Sequence, residues 1–393
     1  MKRYTGNRRK RKLLLLLLSL AVIAAAVTAV ALWGGGAPRT TDPVQTGTED
    51  NVQPPEDTHT PDDGQGQTPD QTDGQEPEPD DGQEPDGYAP IALEGDREQY
   101  DALYRIGDTG FEMYTYVDAI ARRYAGFVNE EAQALRGSAQ VYVLPVPLSS
   151  GITMPDELLG SDLFDDQKAA EEKIGALLDE TVRYVPLNDA LMRHRTEYVY
   201  YRTDHHWTAL GAYYAYRAFC QAKGITPHEL SEYQQESFEG FLGSFYRDSG
   251  SELMAEHPDV VEAWHPVTTE AMLDFTDDNG DTIRWKIIYD ATDYDADMKY
   301  NTFIAGDQPF TVIQNPDVTD GSKCAVVKES FGNAFVPYLV DHYSTVYVVD
   351  YRYWNGDSLT DFVKDNGVQD VLFINNLSAI RSSYLVGMLQ EIA

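Results

Sequence analysis

Residues 323–354 read KCAVVKESFGNAFVPYLVDHYSTVYVVDYRYW. Cys324 to Val327 is an unbroken apolar run, too short for a helix of its own and lacking the polar alternation of a half-exposed strand. It reads as a strand buried on both faces. The chain turns at Glu329-Ser330, takes up helical spacing from Phe331-Gly332-Asn333, and returns as a second apolar strand from Val346 to Asp350. The alternation then repeats: a polar helix over Ser358 to Asn366, a third strand over Val371 to Ile374 within DVLFINN, and an amphipathic helix over Ser378 to Glu391. Short apolar strands separated by helices pair in parallel, because each crossover carries the chain back over the sheet. The expected class is α/β, with a mainly parallel sheet and helices on both faces.

Upstream, AQVYVLPVP supplies another buried strand over Val141 to Leu144, Asp165 to Asp179 has helical spacing, and VRYVPL is a short strand. TEYVYYRTDHHWT, ending at Thr208, reads as a strand that breaks into a loop. Ala209 to Lys223 follows as a helix, with Thr208 as its N-cap and Gly224 just past its end. From about 238 to 315, turns and β-branched or aromatic runs such as TIRWKIIYD and FTVIQN predict a β-rich insertion beside the main sheet.

Two motifs carry chemistry. Ser330 stands where a buried strand gives way to a helix, the end of the sheet at which α/β folds bind ligands. A nucleophile there has an exposed hydroxyl, with the following N–H groups turned toward an oxyanion; the same serine also suits a plain helix N-cap. A serine nucleophile needs a base, and the base needs an orienting acid. Asp204 and His206, two residues apart in a loop, could both point into one cleft while His205 points away. Packed imidazoles are the plainer alternative. A metal held by Asp204, His205 and His206 is another, but adjacent histidines seldom converge on one ion and the other histidines are scattered. Together the motifs favour a Ser330, His206 and Asp204 triad with no metal and no cofactor.

The N-terminal segments set the expected location. Basic residues at 2, 3 and 8–12 precede Leu13 to Trp33, a run without charge. As a helix it would extend roughly 31 Å, enough to cross a bilayer's hydrocarbon layer. The positive-inside rule keeps residues 1–12 cytoplasmic and sends the rest of the chain outward, so 13–33 is expected as a transmembrane signal anchor at the cell membrane. Ala29-Val30-Ala31 leaves a cleaved signal peptide open. Residues 34–89 turn to Asp, Glu, Gln, Gly, Thr and Pro in near-repeats, the composition of a disordered acidic linker. The folded domain is then 90–393. Eight of the 30 Lys and Arg and fifteen of the 65 Asp and Glu precede residue 90, which leaves that domain a net charge of −28. Such a surface excludes nucleic acid as a partner. Cys220 and Cys324 fit either one disulfide outside the cytoplasm or two buried thiols.

TDHHWT at 203–208 with the Tyr-rich helix behind it, KYNTFIAGDQPFTVIQN at 299–315, KESFGNAFVPYL at 328–339 and VVDYRYW at 348–354 resemble the DHHW family of bacterial exported proteins. That family is similar in turn to the SGNH-hydrolase-like domains of alginate O-acetylation proteins. The resemblance implies an SGNH-hydrolase-like three-layer sandwich in permuted motif order, because the Asp-x-His element precedes the serine. By motif, Asp204 is the orienter, His206 the base and Ser330 the nucleophile. The serine motif is KESF where ordinary SGNH enzymes have GDSF, so Glu329 stands for the usual Asp and Lys328 for the glycine. The glycine of the second block has no counterpart; Arg352, at the end of the corresponding strand, would bind an acyl or carboxylate oxygen unless it is merely ion-paired. DVLFINN resembles the third block, so Asn376, or else Asn375, would complete an oxyanion hole with the N–H of Gly332; Asn376 equally suits a helix N-cap. Tyr338 and Trp207 are candidates for substrate contact, although aromatic residues beside a helix usually belong to the core.

The expected protein is a membrane-anchored, outward-facing bacterial acyl esterase or O-acyltransferase. Its partners would be an acyl donor, a cell-surface glycan, the membrane, and a membrane-bound acyltransferase. A catalytically silent glycan-binding or assembly protein on the same scaffold is an alternative of another class, and a metal-dependent hydrolase is a third.

Overall fold

The computed structural model describes residues 87–276, 281–356 and 358–393. The expected cytoplasmic segment and anchor, and the linker up to residue 86, lie outside the described residues. Among the described residues no helix is long and apolar enough to cross a membrane.

Two small sheets accompany a large one. The first is an antiparallel meander of β1 (Arg97–Tyr100), β2 (Leu103–Ile106) and β3 (Thr109–Glu112), turned at Asp101 (φ 50°) and Gly107 (φ 57°). The main sheet begins with β4 (Gln140–Val146) and β5 (Val182–Tyr184). The second small sheet pairs β6 (Gln234–Phe241) with β7 (Asp259–His265). The main sheet then takes in β8 (Met272–Thr276), β9 (Thr282–Trp285), β10 (Phe310–Gln314), β11 (Lys323–Lys328), β12 (Thr345–Asp350) and β13 (Asp370–Asn376). Its order is β5-β4-β13-β11-β12-β10-β8-β9. Neighbours are parallel from β5 to β12, and β10, β8 and β9 continue it antiparallel. Residues 238–315 therefore both form most of the β6–β7 pair and lengthen the main sheet.

Helices cover both faces. Phe127, in the helix Asp118–Ala134, meets Phe373 of β13 with ring centroids 5.9 Å apart; Phe219, in the helix Ala209–Lys223, meets Tyr142 of β4 at 5.2 Å. Phe373 lies beside Val143 in the ladder, so the next residue along β4, Tyr142, points to the opposite face. The helix Gly332–Leu339 shares that second face, with Phe335 against Phe219 at 6.5 Å. β13 is buried along its whole length, as its apolar run requires.

The helix ends follow local chemistry. Thr208 accepts the Gly211 N–H at 3.2 Å, and Gly224 closes the same helix at φ 79°. The single helix expected over Ser378 to Glu391 is instead two, Leu377–Arg381 and Ser383–Gln390. Ser382 between them has an extended backbone and accepts the Leu385 N–H at 3.3 Å, so one serine ends the first helix and caps the second. Cys220 and Cys324 are both buried and unpaired.

Candidate active site

β11 delivers Ser330 to the carboxyl end of the sheet, and the turn after it is pinned by a buried acid. Glu329 accepts the Phe331 N–H at 3.0 Å on one carboxylate oxygen and the Asn376 N–H at 2.8 Å on the other, which ties the ends of β11 and β13 together. Burial pushes the Glu329 carboxyl up, against those two N–H groups and the charge of Arg352. Gly332 is required here: a Cβ at that position would lie 2.5 Å from Lys328 Cβ.

The partner loop is locked to the same turn. Tyr200 and Trp207 form an isolated antiparallel bridge, so the residues between them make a tight excursion. Trp207 is fully buried and donates its indole N–H to Phe331 O at 2.9 Å. Within the excursion, Asp204 Oδ1 lies 2.5 Å from His206 Nδ1 and accepts the His206 N–H at 2.9 Å, and Oδ2 accepts the Ser244 N–H at 2.8 Å. His206 Nε2 lies 2.7 Å from Ser330 Oγ. Tyr300 stacks on the imidazole, centroids 4.1 Å apart and planes 13° from parallel, and donates its hydroxyl to Ser330 O at 3.1 Å. Burial would raise the Asp204 carboxyl, but the imidazoles of His206 and His205 and the N–H groups on it hold it far below the usual carboxylate range. Gly243 packs so closely that a Cβ there would stand 2.2 Å from Asp204 Oδ2. That carboxylate has one place to be.

Carboxylate, imidazole and hydroxyl are thus in line, with ring nitrogens set to hold a proton from the serine on one side and to be steadied on the other. The remaining expected residues are distributed differently. The N–H of Gly332, expected to face an oxyanion, donates to Glu329 O at 2.9 Å; that of Phe331 is held by Glu329, and that of Asn333 donates to Ser330 O at 3.1 Å. The turn closes on itself, and the N–H of Ser330 alone is left without an acceptor among the described residues. Asn376 takes the helix N-cap alternative, its Oδ1 accepting the Ala379 N–H at 2.9 Å. Asn375 Oδ1 accepts the Tyr124 hydroxyl at 3.0 Å, while its Nδ2 is buried without a partner. Arg352 is ion-paired: its guanidinium meets Asp350 at 2.6 Å and Asp307 at 2.7 Å, which occupies the charge expected to face an acyl oxygen. Tyr338 packs among Tyr213, Tyr216 and Tyr233 and donates to Ala209 O at 2.9 Å, in the core between two helices.

Tyr300 and Ser244 have no part in the expected site. Tyr300 lies in KYNTF, whose spacing carries no chemical signal, and Ser244 reaches Asp204 only through tertiary folding. Asp204, His205 and His206 do offer ligand atoms within 4.8 Å of one another. Each carboxylate oxygen of Asp204, both nitrogens of His206 and Nδ1 of His205 already meet protein partners, so the donor set is built for hydrogen bonds and fits a resident ion poorly.

A serine, a histidine and an acid meeting beyond the end of a parallel strand define an α/β protein with a serine-centred site. The chain belongs to the DHHW family: the family profile described as DHHW protein matches residues 74–349. The crystal structure of a DHHW family protein from Eubacterium siraeum is 30% identical, with a TM-score of 0.68 over 76% of this chain and 98% of that one. Bacillus cereus PatB1, solved with a sulfonyl adduct, has the same fold at 17% identity and a TM-score of 0.60, over 74% of this chain and 97% of its own. The O-acetyltransferase domain of Pseudomonas putida AlgJ aligns at 13% identity and a TM-score of 0.41, over 78% of this chain and 100% of that domain. No curated protein matches the chain.

Proposed function

We propose that this protein is an SGNH-like serine acyl esterase or O-acyltransferase with its motifs in permuted order, held outside the cell by its N-terminal anchor and acting on a cell-surface polysaccharide. The observation that carries the reading is the 2.7 Å contact between Ser330 Oγ and a His206 ring whose other nitrogen lies 2.5 Å from Asp204. His206 Nε2 takes the serine proton as Oγ bonds to the acyl carbonyl carbon. The bond to the leaving oxygen then breaks, and that oxygen receives the proton from His206. Water or a sugar hydroxyl next attacks the acyl-serine, gives its proton to His206, and releases Ser330 with its hydrogen restored. Asp204 stabilises the imidazolium in both halves, and the Ser330 N–H is placed to receive the oxyanion.

Membership of the DHHW family and the order of Asp-x-His before Ser support the permuted arrangement. The test is turnover of a fluorogenic acetate ester by the purified chain. Ser330→Ala is expected to lower kcat/KM by about 10³-fold or more. Equal turnover in that variant would remove the proposal.

A further inference from the structure

His205 takes no part in those steps, although it sits between the acid and the base. Its ring lies beside that of His206, centroids 3.9 Å apart, and its Nδ1 meets Ser244 Oγ at 2.6 Å, with Asp204 Oδ2 farther off at 3.7 Å. Ser244 Oγ also accepts the His205 backbone N–H at 3.2 Å, so one hydroxyl holds both the ring and its backbone. Among the described residues no group takes Nε2, and the His205 side chain is 34% exposed where that of His206 is 9% exposed. Burial and the neighbouring His206 lower the His205 pKa, against the carboxylates of Asp204, Glu112 and Glu329.

His205 and Ser244 form one wall of a cleft of about 650 Å³. Tyr100, Leu103 and Phe245 give that cleft apolar faces of the kind a sugar ring lies against. Its charges are mostly negative: Asp101, Glu112 and Asp248 face it with one cation, the exposed Arg247, 3.4 Å from Asp248, while Glu112 meets Arg381 at 3.1 Å. A chain bearing one carboxylate per sugar would meet three carboxylates there against the single cation Arg247, and would approach a domain whose net charge is −28.

We infer that this cleft is the acceptor subsite, that His205 Nε2 hydrogen-bonds an oxygen of the acceptor beside His206, and that the acceptor is a glycan chain without carboxylates, which rests on the acyl-transfer reading above. His205 is a positioning group for the acceptor, while His206 handles the proton.

Binding is separated from chemistry by calorimetric titration of the full chain carrying Ser330→Ala with chitohexaose, cellohexaose, mannohexaose and a hexamannuronate. At least one neutral hexamer should bind, and the hexamannuronate should not. Adding His205→Asn, which keeps a partner for Ser244 but removes Nε2, should weaken the neutral hexamer at least tenfold; His205→Gln, which carries an N–H toward the Nε2 position, should recover part of the loss. No binding by any neutral hexamer, equal binding after His205→Asn, or tighter binding of the hexamannuronate overturns the inference. Binding that depends on His205 in a protein whose parent turns over no ester would leave the cleft standing and remove only the acyl-transfer reading.

Discussion

Asp204 and Glu171 are both buried carboxylates that accept backbone N–H groups, yet they are driven in opposite directions. Glu171, in the helix Gln167–Gly175, is 2% exposed and accepts the Leu187 and Asn188 N–H groups at 2.6 and 3.1 Å. Burial nevertheless pushes it up to about 8. Asp204 is 4% exposed and is held well below its ordinary value. Two N–H bonds do not offset the loss of water around Glu171, whereas the imidazoles beside Asp204 do. Interaction with the two imidazoles therefore separates Asp204, whose carboxylate stays charged, from Glu171, which serves as a structural acceptor.

The largest effect should come from removing that charge. Asp204→Asn is expected to lower ester turnover roughly 10³- to 10⁴-fold while the far-ultraviolet circular dichroism stays native. A loss below tenfold would put Asp204 with Glu171, as scaffold. Next is stability. Lys328 and Asp350 are each 0% exposed and lie 3.0 Å apart, and Lys328 also meets Asp307 at 3.2 Å. Lys328→Met strips one cation from two carboxylates and should cost about 3 kcal/mol in a denaturant titration. Unchanged stability would mean that Arg352 alone suffices for both.

Gly243→Ala tests position instead of charge. The added methyl has to displace the Asp204 carboxylate, so turnover should fall about 10²-fold with the charge still present. The smallest effect is a slope. The folded carboxyl of Glu171 is raised to about 8, above its unfolded value of about 4.3, so the folded state binds the extra proton between them and stability falls as pH rises through that window. Glu171→Gln keeps the oxygen that accepts both N–H groups and should flatten the decline, which thermal melts at several pH values would record. Asp204 has the opposite sign: its contribution is present above about pH 3.9 and is lost as pH falls toward its depressed folded value.

Much of this was legible from local pattern. The apolar runs at Cys324–Val327, Val346–Asp350 and Val371–Ile374 lie inside β11, β12 and β13, and Ala209–Lys223 has the expected bounds, because Thr208 and Gly224 mark its ends chemically. The β1–β3 meander is harder to read: its strands are short, and REQY is polar and mostly exposed. Side-chain commitments are harder still. Nothing local says that Arg352 folds back on Asp350 two residues away, that the N–H groups of Phe331 and Gly332 are taken by Glu329, or that Ser244 meets two residues of the DHH loop. Those contacts join segments far apart in sequence or depend on the hand of a single turn, and neither leaves a periodic trace.

The central claim, that Ser330 is an activated nucleophile, is tested most directly by exposing the protein at neutral pH to an aryl sulfonyl fluoride and mapping the adduct by peptide mass spectrometry. One adduct on Ser330, lost in Ser330→Ala and slowed about 10²-fold or more in His206→Ala, is the predicted result. An unmodified Ser330, or labelling at the same rate without His206, would contradict it.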